Sequence, residues 1–293
     1  MIVSENKSDL SILVNSCDKY SDLWYPFFRL LKTNWQDLTY PVYLNTETIS
    51  YEEDVDFPVV SILSRHGGET WSERLYDALN QIPSEYILFL MDDYFLMDKV
   101  NSSKLEEMMK YIKKDENIAN IVLYPVGSAG AIPENNRSLL KLEKRHPNLC
   151  VCCTTAIWRK SILLKLIRKS ESPWEFEENG TRRAYKSKWD YYALNPSVAQ
   201  EEGLIYPFRL APIHGMGVFR GRWGFNNAAL FEKYGIENVD FSKREIWKSY
   251  EEIEEYLESN LESSSIKHSK LRVFFHRILP DAIVGFIRKQ KKS

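Results

Sequence analysis

Residues 87–96, ILFLMDDYFL, decide the fold: an unbroken apolar run from Ile87 to Met91 ends abruptly in two adjacent acids, Asp92 and Asp93. A short continuous apolar run bounded by polar residues reads as a strand buried on both faces. Comparable runs lie upstream at 10–18 (LSILVNSCD), 40–48 (YPVYLNTET) and 59–68 (VVSILSRHGG). Between them, 21–35 (SDLWYPFFRLLKTNW) and 69–82 (ETWSERLYDALNQI) carry apolar residues at helical spacing. Strand and helix in alternation predict an α/β fold, a mostly parallel central sheet flanked by helices. In such sheets ligands bind beyond the carboxyl ends of the strands. That edge collects Ser16, Asp18, Asn45, Arg65 and the Asp92/Asp93 pair.

Downstream, the spacing predicts a Ser-capped helix over 101–118, a strand over 119–126, a loop over 127–136 and a strand over 150–158. A helix follows to 172, then a segment dense in acids and aromatics at 173–185 (PWEFEENGTRRAY). A strand, His214, a glycine loop and a basic-aromatic loop fill 205–223.

The chain has 293 residues, 44% hydrophobic and 27% charged, which is ample for a sizeable core. A formal net charge of −2 argues against a protein built to neutralise nucleic-acid phosphates. Aromatic residues make up 13%, suiting a protein that stacks ring-shaped ligands. Cys17, Cys150, Cys152 and Cys153 lack zinc-site spacing and read as buried free thiols of a reducing compartment. The N-terminal residues lack the features of a signal peptide, and no apolar run approaches the ~18 residues that span a bilayer. A cytoplasmic protein is expected.

Two neighbouring carboxylates at a strand tip repel one another unless something positive joins them. A divalent cation bridging to a diphosphate supplies that charge, and Mg²⁺ or Mn²⁺ needs only one or two protein carboxylates. With this acidic tip, the helix WSERLYDAL and two earlier strands with polar ends, the chain resembles the GT-A glycosyltransferases. It is similar in particular to bacterial capsule and O-antigen sugar transferases. The likeness covers about residues 9–125, and reaches about 225 if the later segments are included. Met91 stands where the first Asp of the common acidic motif would be.

The resemblance implies Asp93 as metal ligand and Asp92 as a ribose or second metal contact, with the assignment between them open. It implies Ser16 and Asp18 near the nucleobase and ribose, with Arg65 and Arg74 facing the nucleotide. A guanidinium suits a diphosphate because it donates paired hydrogen bonds to anionic oxygens. His214 would be a further metal or diphosphate ligand, and Arg220, with Arg222 and Trp223, a lid over the phosphates. Inverting transfer needs a carboxylate to deprotonate the acceptor hydroxyl. Glu177 is the first choice and Glu175 the second; the two share a face if the segment is extended. Trp174 and Phe176 would form the acceptor platform. The rival function, a nucleotidyltransferase making sugar nucleotides, usually carries a glycine-rich basic loop after the first strand, and NSCDKYSD has no glycine. A non-catalytic carbohydrate-binding or scaffold protein is the other alternative.

The last 29 residues from Ser265 carry basic residues from Lys267 to Lys292 against the single acid Asp281, interleaved with Leu271, Phe274, Phe275, Ile283 and Phe286. A basic amphipathic segment of this kind seats on an anionic bilayer. The expected organisation is a GT-A-like catalytic domain over 1–240 and a helical extension over 241–293. The expected partners are a UDP- or GDP-linked sugar, a lipid-linked glycan acceptor and the inner face of the plasma membrane.

Overall fold

β1 (Leu10–Asn15) is buried along its whole length, as its apolar run demands. It lies between β2 (Val42–Asn45) and β4 (Tyr86–Met91), parallel to both, and β3 (Val59–Ile62) continues the parallel set outside β2. In this computed structural model, residues 8–53, 57–65, 67–125, 132–133, 135–145, 149–209 and 214–263 are described. Beyond β4 the sheet changes character. β8 (Ala156–Arg159) runs antiparallel between β4 and β5 (Ile118–Val122), and β9 (Asp190–Leu194) is parallel to β5. β7 (Leu139–Lys141) and β6 (Ile132–Pro133) complete the far edge, giving nine strands in the order β3-β2-β1-β4-β8-β5-β9-β7-β6. This is the expected α/β class, a large central sheet flanked by helices, with its antiparallel ladders confined to the half beyond β4.

The helices start where the local chemistry allows. α1 (Trp24–Asn34) buries Trp24, Phe27, Phe28, Leu30 and Leu31, all in the core. α2 (Trp71–Gln81) opens with a capping box, in which Thr70 accepts from the Glu73 amide and Glu73 reaches back to the Thr70 amide. α3 (Ser102–Lys114) is capped by Asn101, whose side chain accepts from the Lys104 amide at 3.0 Å, so Ser102 is the first helical residue rather than the cap. Lys113 and Lys114 sit at its C-terminal end, where the helix dipole favours cations. α4 (Lys160–Leu166) and α5 (Pro173–Tyr185) pack on α2 and on each other.

Several expectations change. Residues 173–185 are a helix, because Ser172 caps it, Pro173 occupies its first turn, where a missing amide hydrogen is harmless, and Glu175 closes a second capping box. The strand expected over 150–158 begins only at Ala156; Cys150–Thr155 is irregular, and Cys150, Cys152 and Cys153 are buried and unbridged. Residues 205–209 contribute a single bridge, Phe208 to Leu96, not a strand. α6 (Pro196–Glu202) follows β9; β10 (Val218–Phe219) and β11 (Arg222–Trp223) form a hairpin, and α7 (Asn227–Lys233) follows it.

Residues 241–253 pack on the preceding body rather than standing apart. Trp247 and Ile253 are buried, and Ile246 bridges in parallel to Trp223. α8 (Tyr250–Ser263) ends the described chain. The basic tail from Ser265 lies outside the described residues. Among the described residues no helix is long and apolar enough to cross a membrane.

Candidate functional site

The strand register aligns Asn15 with both Asn45 and Met91, so the next residues, Ser16, Thr46 and Asp92, emerge together from one sheet edge. Asn15 binds these ends together: its Nδ2 donates to the Leu90 carbonyl at 3.2 Å, and its Oδ1 accepts from Asn45 Nδ2 at 3.2 Å. The chain winds outward from β1 through β2 to β3, then returns to the other side of β1 as β4. A crevice opens at such a reversal of strand order. Asp92 and Asp93 follow β4 at this reversal.

Asp92 is 3% exposed. Its Oδ2 accepts from the Ser16 hydroxyl, which in turn accepts from Trp24 Nε1 at 2.6 Å. The Ser16 side chain is therefore engaged with an acid. Asp93 is half-buried, yet its Oδ1 is sealed from solvent and has no hydrogen-bond partner among the described residues. Burial pushes the Asp93 carboxyl up to about 7. Burial, and then the charge of Asp93, drive the Asp92 carboxyl well above the ordinary carboxylate range. Near neutral pH the pair resists carrying two charges, which is the condition a bound cation relieves. Among the described residues no three His, Cys, Asp or Glu side chains converge on one metal position. The pair therefore fits Mg²⁺ or Mn²⁺ only in the manner that leaves most coordination to phosphate and water.

The expected third ligand is not brought to the pair. His214 has its Nδ1 3.5 Å from Arg209 Nη1, and burial with that guanidinium lowers the imidazole to about 4, leaving it neutral.

A buried ion pair walls one side. Arg244 donates from Nε and Nη2 to the two oxygens of Asp22, each at 2.7 Å, with the side chains 5% and 3% exposed. Its Nη2 also donates to the Lys19 carbonyl at 2.5 Å, and the guanidinium lies 4.3 Å from the Tyr20 ring centroid. Burial, then the charges of Asp93 and Asp92, lift the Tyr20 phenol to about 12, so Tyr20 stands close to the acids. The Arg244 charge opposes burial at both Asp92 and Asp93.

Asp18 is occupied with structure. It accepts from the Thr46 hydroxyl at 3.0 Å, the Glu47 amide at 3.2 Å, the Thr48 amide and hydroxyl, and the Ile49 amide at 3.2 Å, fastening the loop after β2. Burial works to raise its carboxyl, but those hydrogen bonds outweigh it and hold it at about 2. Arg74 is buried beneath the same corner. It pairs with Glu47 at 2.9 Å and donates to the Glu69 carbonyl at 3.2 Å, while its Nε is buried without a partner. Arg65 is exposed on the loop after β3, its amide donating to Glu69. Arg220 is exposed at the tip of the β10–β11 hairpin with φ +53°, before Gly221 at φ +79°, a pairing suited to a tight hairpin turn. Arg244 reaches the Gly221 carbonyl at 3.4 Å, so this tip lies beside the Tyr20 wall. Arg222 and Trp223 are not part of a lid: Arg222 pairs with Glu252 at 2.8 Å and covers Trp247, and Trp223 is core.

On α5 the candidates part company. Glu177 Oε1 accepts from the Cys153 amide at 2.6 Å, and burial pushes its carboxyl up to about 7. Burial, followed by the charges of Asp93 and Glu177, raises the Tyr94 phenol far above its usual range. Tyr94 directly follows Asp93 in the chain. Because β8 is antiparallel to β4, its entry residues reach the same edge as the exit of β4, which brings the Cys153 amide there. Glu175 instead completes the capping box, accepting from the Ser172 amide at 2.9 Å and hydroxyl at 2.7 Å. In a helix, residues two apart face different directions, so it shares no face with Glu177. Phe176 is core, 5.6 Å from the Trp71 ring, and forms no platform; Trp174 is 60% exposed one turn before Glu177.

Arg244, Tyr20 and Tyr94 went unrecognised in the sequence. Tyr94 follows the acid pair directly, a signal that was available; Arg244 pairs across the chain and carries none.

No family model matches the chain, and no curated relative does. Solved structures similar to it include S. aureus TarS 1-349, at 12% identity over 94% of this chain and 82% of that one, TM-score 0.46. The same protein in complex with UDP is 13% identical over 88% and 73%, TM-score 0.46. CMP:2-keto-3-deoxy-manno-octonic acid synthetase complexed with CTP is 13% identical over 64% and 89%, TM-score 0.39.

Proposed function

We propose that the chain is a metal-dependent glycosyltransferase that moves a sugar from a nucleotide-sugar to a glycan acceptor with inversion at the anomeric carbon. The observation that carries this reading is the sealed, partnerless Oδ1 of Asp93 beside Asp92 at the strand-order reversal. Such an atom calls for a positive partner, and the crevice there suits a diphosphate. A bound Mg²⁺ or Mn²⁺ would neutralise the charge left on the departing nucleoside diphosphate.

The protein's own groups supply the rest. Glu177, held near 7 and fixed through Oε1, takes the proton of the acceptor hydroxyl on its other oxygen as that hydroxyl attacks the anomeric carbon and the bond to the diphosphate breaks. Trp174 offers an exposed ring face to the acceptor sugar, and Arg220 lies beside the crevice wall to meet phosphate. Arg65 and Arg74 border the nucleotide side. The basic residues 267–292 seat the protein on an anionic membrane where a lipid-linked acceptor of a surface polysaccharide would lie.

Calorimetry of UDP and GDP with and without Mn²⁺ tests the first claim: binding is metal-dependent in the wild type and lost in Asp93→Ala. Metal-independent binding in both proteins, or pyrophosphate release from a nucleoside triphosphate and a sugar phosphate, overturns it. Flotation with anionic liposomes tests the seat, and a chain ending after Ser264 that still floats rejects it.

A further inference from the structure

Past Met91 the chain leaves the sheet, and residues 92–97 have no regular structure beyond the bridge at Leu96. Asp93 lies just past the last bond to β1, from the Asp92 amide to the Asn15 carbonyl at 3.4 Å, in a turn closed by the Tyr94 amide on the Met91 carbonyl at 3.3 Å. Three contacts from one short helix take over. At its start, the fully buried Asn227 spends both ends of its amide on Gly217: Oδ1 accepts from the Gly217 amide at 2.7 Å, and Nδ2 donates to the Gly217 carbonyl at 2.6 Å. Gly217, at φ +76°, lies so close to Asp93 that an added Cβ would sit 2.1 Å from the Asp93 carbonyl oxygen. Midway, Phe231 packs edge-on against Phe95 with ring centroids 5.5 Å apart. At its end, the Tyr234 hydroxyl donates to the Met97 carbonyl at 2.5 Å. Asn226 steadies the same loop, its side chain donating to the His214 carbonyl and its amide to the Gly215 carbonyl.

We propose that α7 is a splint for the turn that carries Asp93, with Asn227 as the positioning residue that acts through Gly217. The contacts at Gly217 and Met97 hold the two ends of residues 93–97, with Asp93 at the first, and the Phe231–Phe95 contact fills the span between them. The consequence for metal binding rests on the glycosyltransferase reading; the splint itself does not. Partners hydrogen-bonded to a metal ligand affect metal affinity by about 10- to 100-fold when removed, which sets about 10-fold as the scale for a group acting through Gly217.

Full-length Asn227→Ala and Tyr234→Phe separate the two claims. Hydrogen exchange followed by mass spectrometry is expected to quicken in peptides covering 92–97 while β1 and β4 keep wild-type protection. Mn²⁺-dependent UDP or GDP binding is expected to weaken about 10-fold or more in Asn227→Ala, with Tyr234→Phe shifting both readouts less in the same direction. Wild-type exchange at 92–97 in Asn227→Ala overturns the splint, and faster exchange with unchanged metal-dependent binding overturns its role at the site. Should Asn227→Ala lose protection throughout, Tyr234→Phe decides: unchanged exchange at 92–97 refutes the proposal. A wild-type protein that shows no metal-dependent nucleotide binding defeats the functional reading alone, and the exchange result still judges the splint.

Discussion

Replacing Glu177 by Gln removes one ionisation and keeps the side chain's shape and its acceptor for the Cys153 amide. Glu177 is held at about 7 in the folded protein against 4.5 ordinarily. Between those values the folded state keeps a proton that the unfolded chain has released, so wild-type stability falls as pH rises from about 4.5 to 7 and levels off above. The gap corresponds to roughly 3 kcal/mol at 1.36 kcal/mol per pH unit, an upper value because the residue is only half-buried. Glu177→Gln escapes this penalty. Relative to wild type it gains nothing near pH 4, gains progressively through neutrality, and is steadier by up to about 3 kcal/mol at pH 8. For a protein of this size that is roughly 6–12 °C in Tm. Transferase activity moves the other way, down by about 10²- to 10⁴-fold if Glu177 is the base. Thermal unfolding across this pH range, run beside initial rates, reads both. A Tm difference that does not change with pH would refute the burial argument, and a fully active Gln variant would refute the base.

Other variants probe the surroundings. Arg244→Leu strands the buried Asp22 charge and is expected to cost about 3–5 kcal/mol in urea unfolding; adding Asp22→Leu should return most of it, because the penalty is the unpaired charge. Phe176→Ala should cost about 3–5 kcal/mol as a core truncation. Trp174→Ala, on an exposed side chain, should stay within about 0.5 kcal/mol of wild type while raising the KM for the glycan acceptor. Glu175→Ala should lose about 1 kcal/mol from the α5 cap and leave kcat unchanged, which initial rates and melting curves together would show.

Much of the first half of the sheet was legible because β1 and β4 are buried on both faces, so apolar runs such as Ile12–Val14 and Ile87–Met91 announce themselves. The acid pair was legible for the same reason, since nothing apolar explains two carboxylates at such a tip. The second half was not, because β8 is a four-residue strand that follows an equally apolar irregular stretch, and length and hydrophobicity cannot tell the two apart. At α5 the acid-rich composition suggested an extended acceptor wall, although Ser172, Pro173 and Glu175 together spell a helix start. Reading that start would have separated Glu177 from Glu175 and sent Phe176 inward. Asp18 shows another ambiguity: a polar residue at a strand tip answers equally to a ligand or to the amides of the next loop, and the amides of residues 47–49 bond to it here. The Arg244–Asp22 pair joins residues 222 apart in sequence, a separation over which no local pattern speaks.

The reversed course of β8 divides labour along the chain. Because that strand enters where its neighbour leaves, Glu177 arrives on a later stretch of polypeptide than Asp92 and Asp93, and the two stretches meet through the β4–β8 ladder. On the proposed function, substitutions between residues 153 and 185 would alter the acceptor side while leaving the donor acids in place.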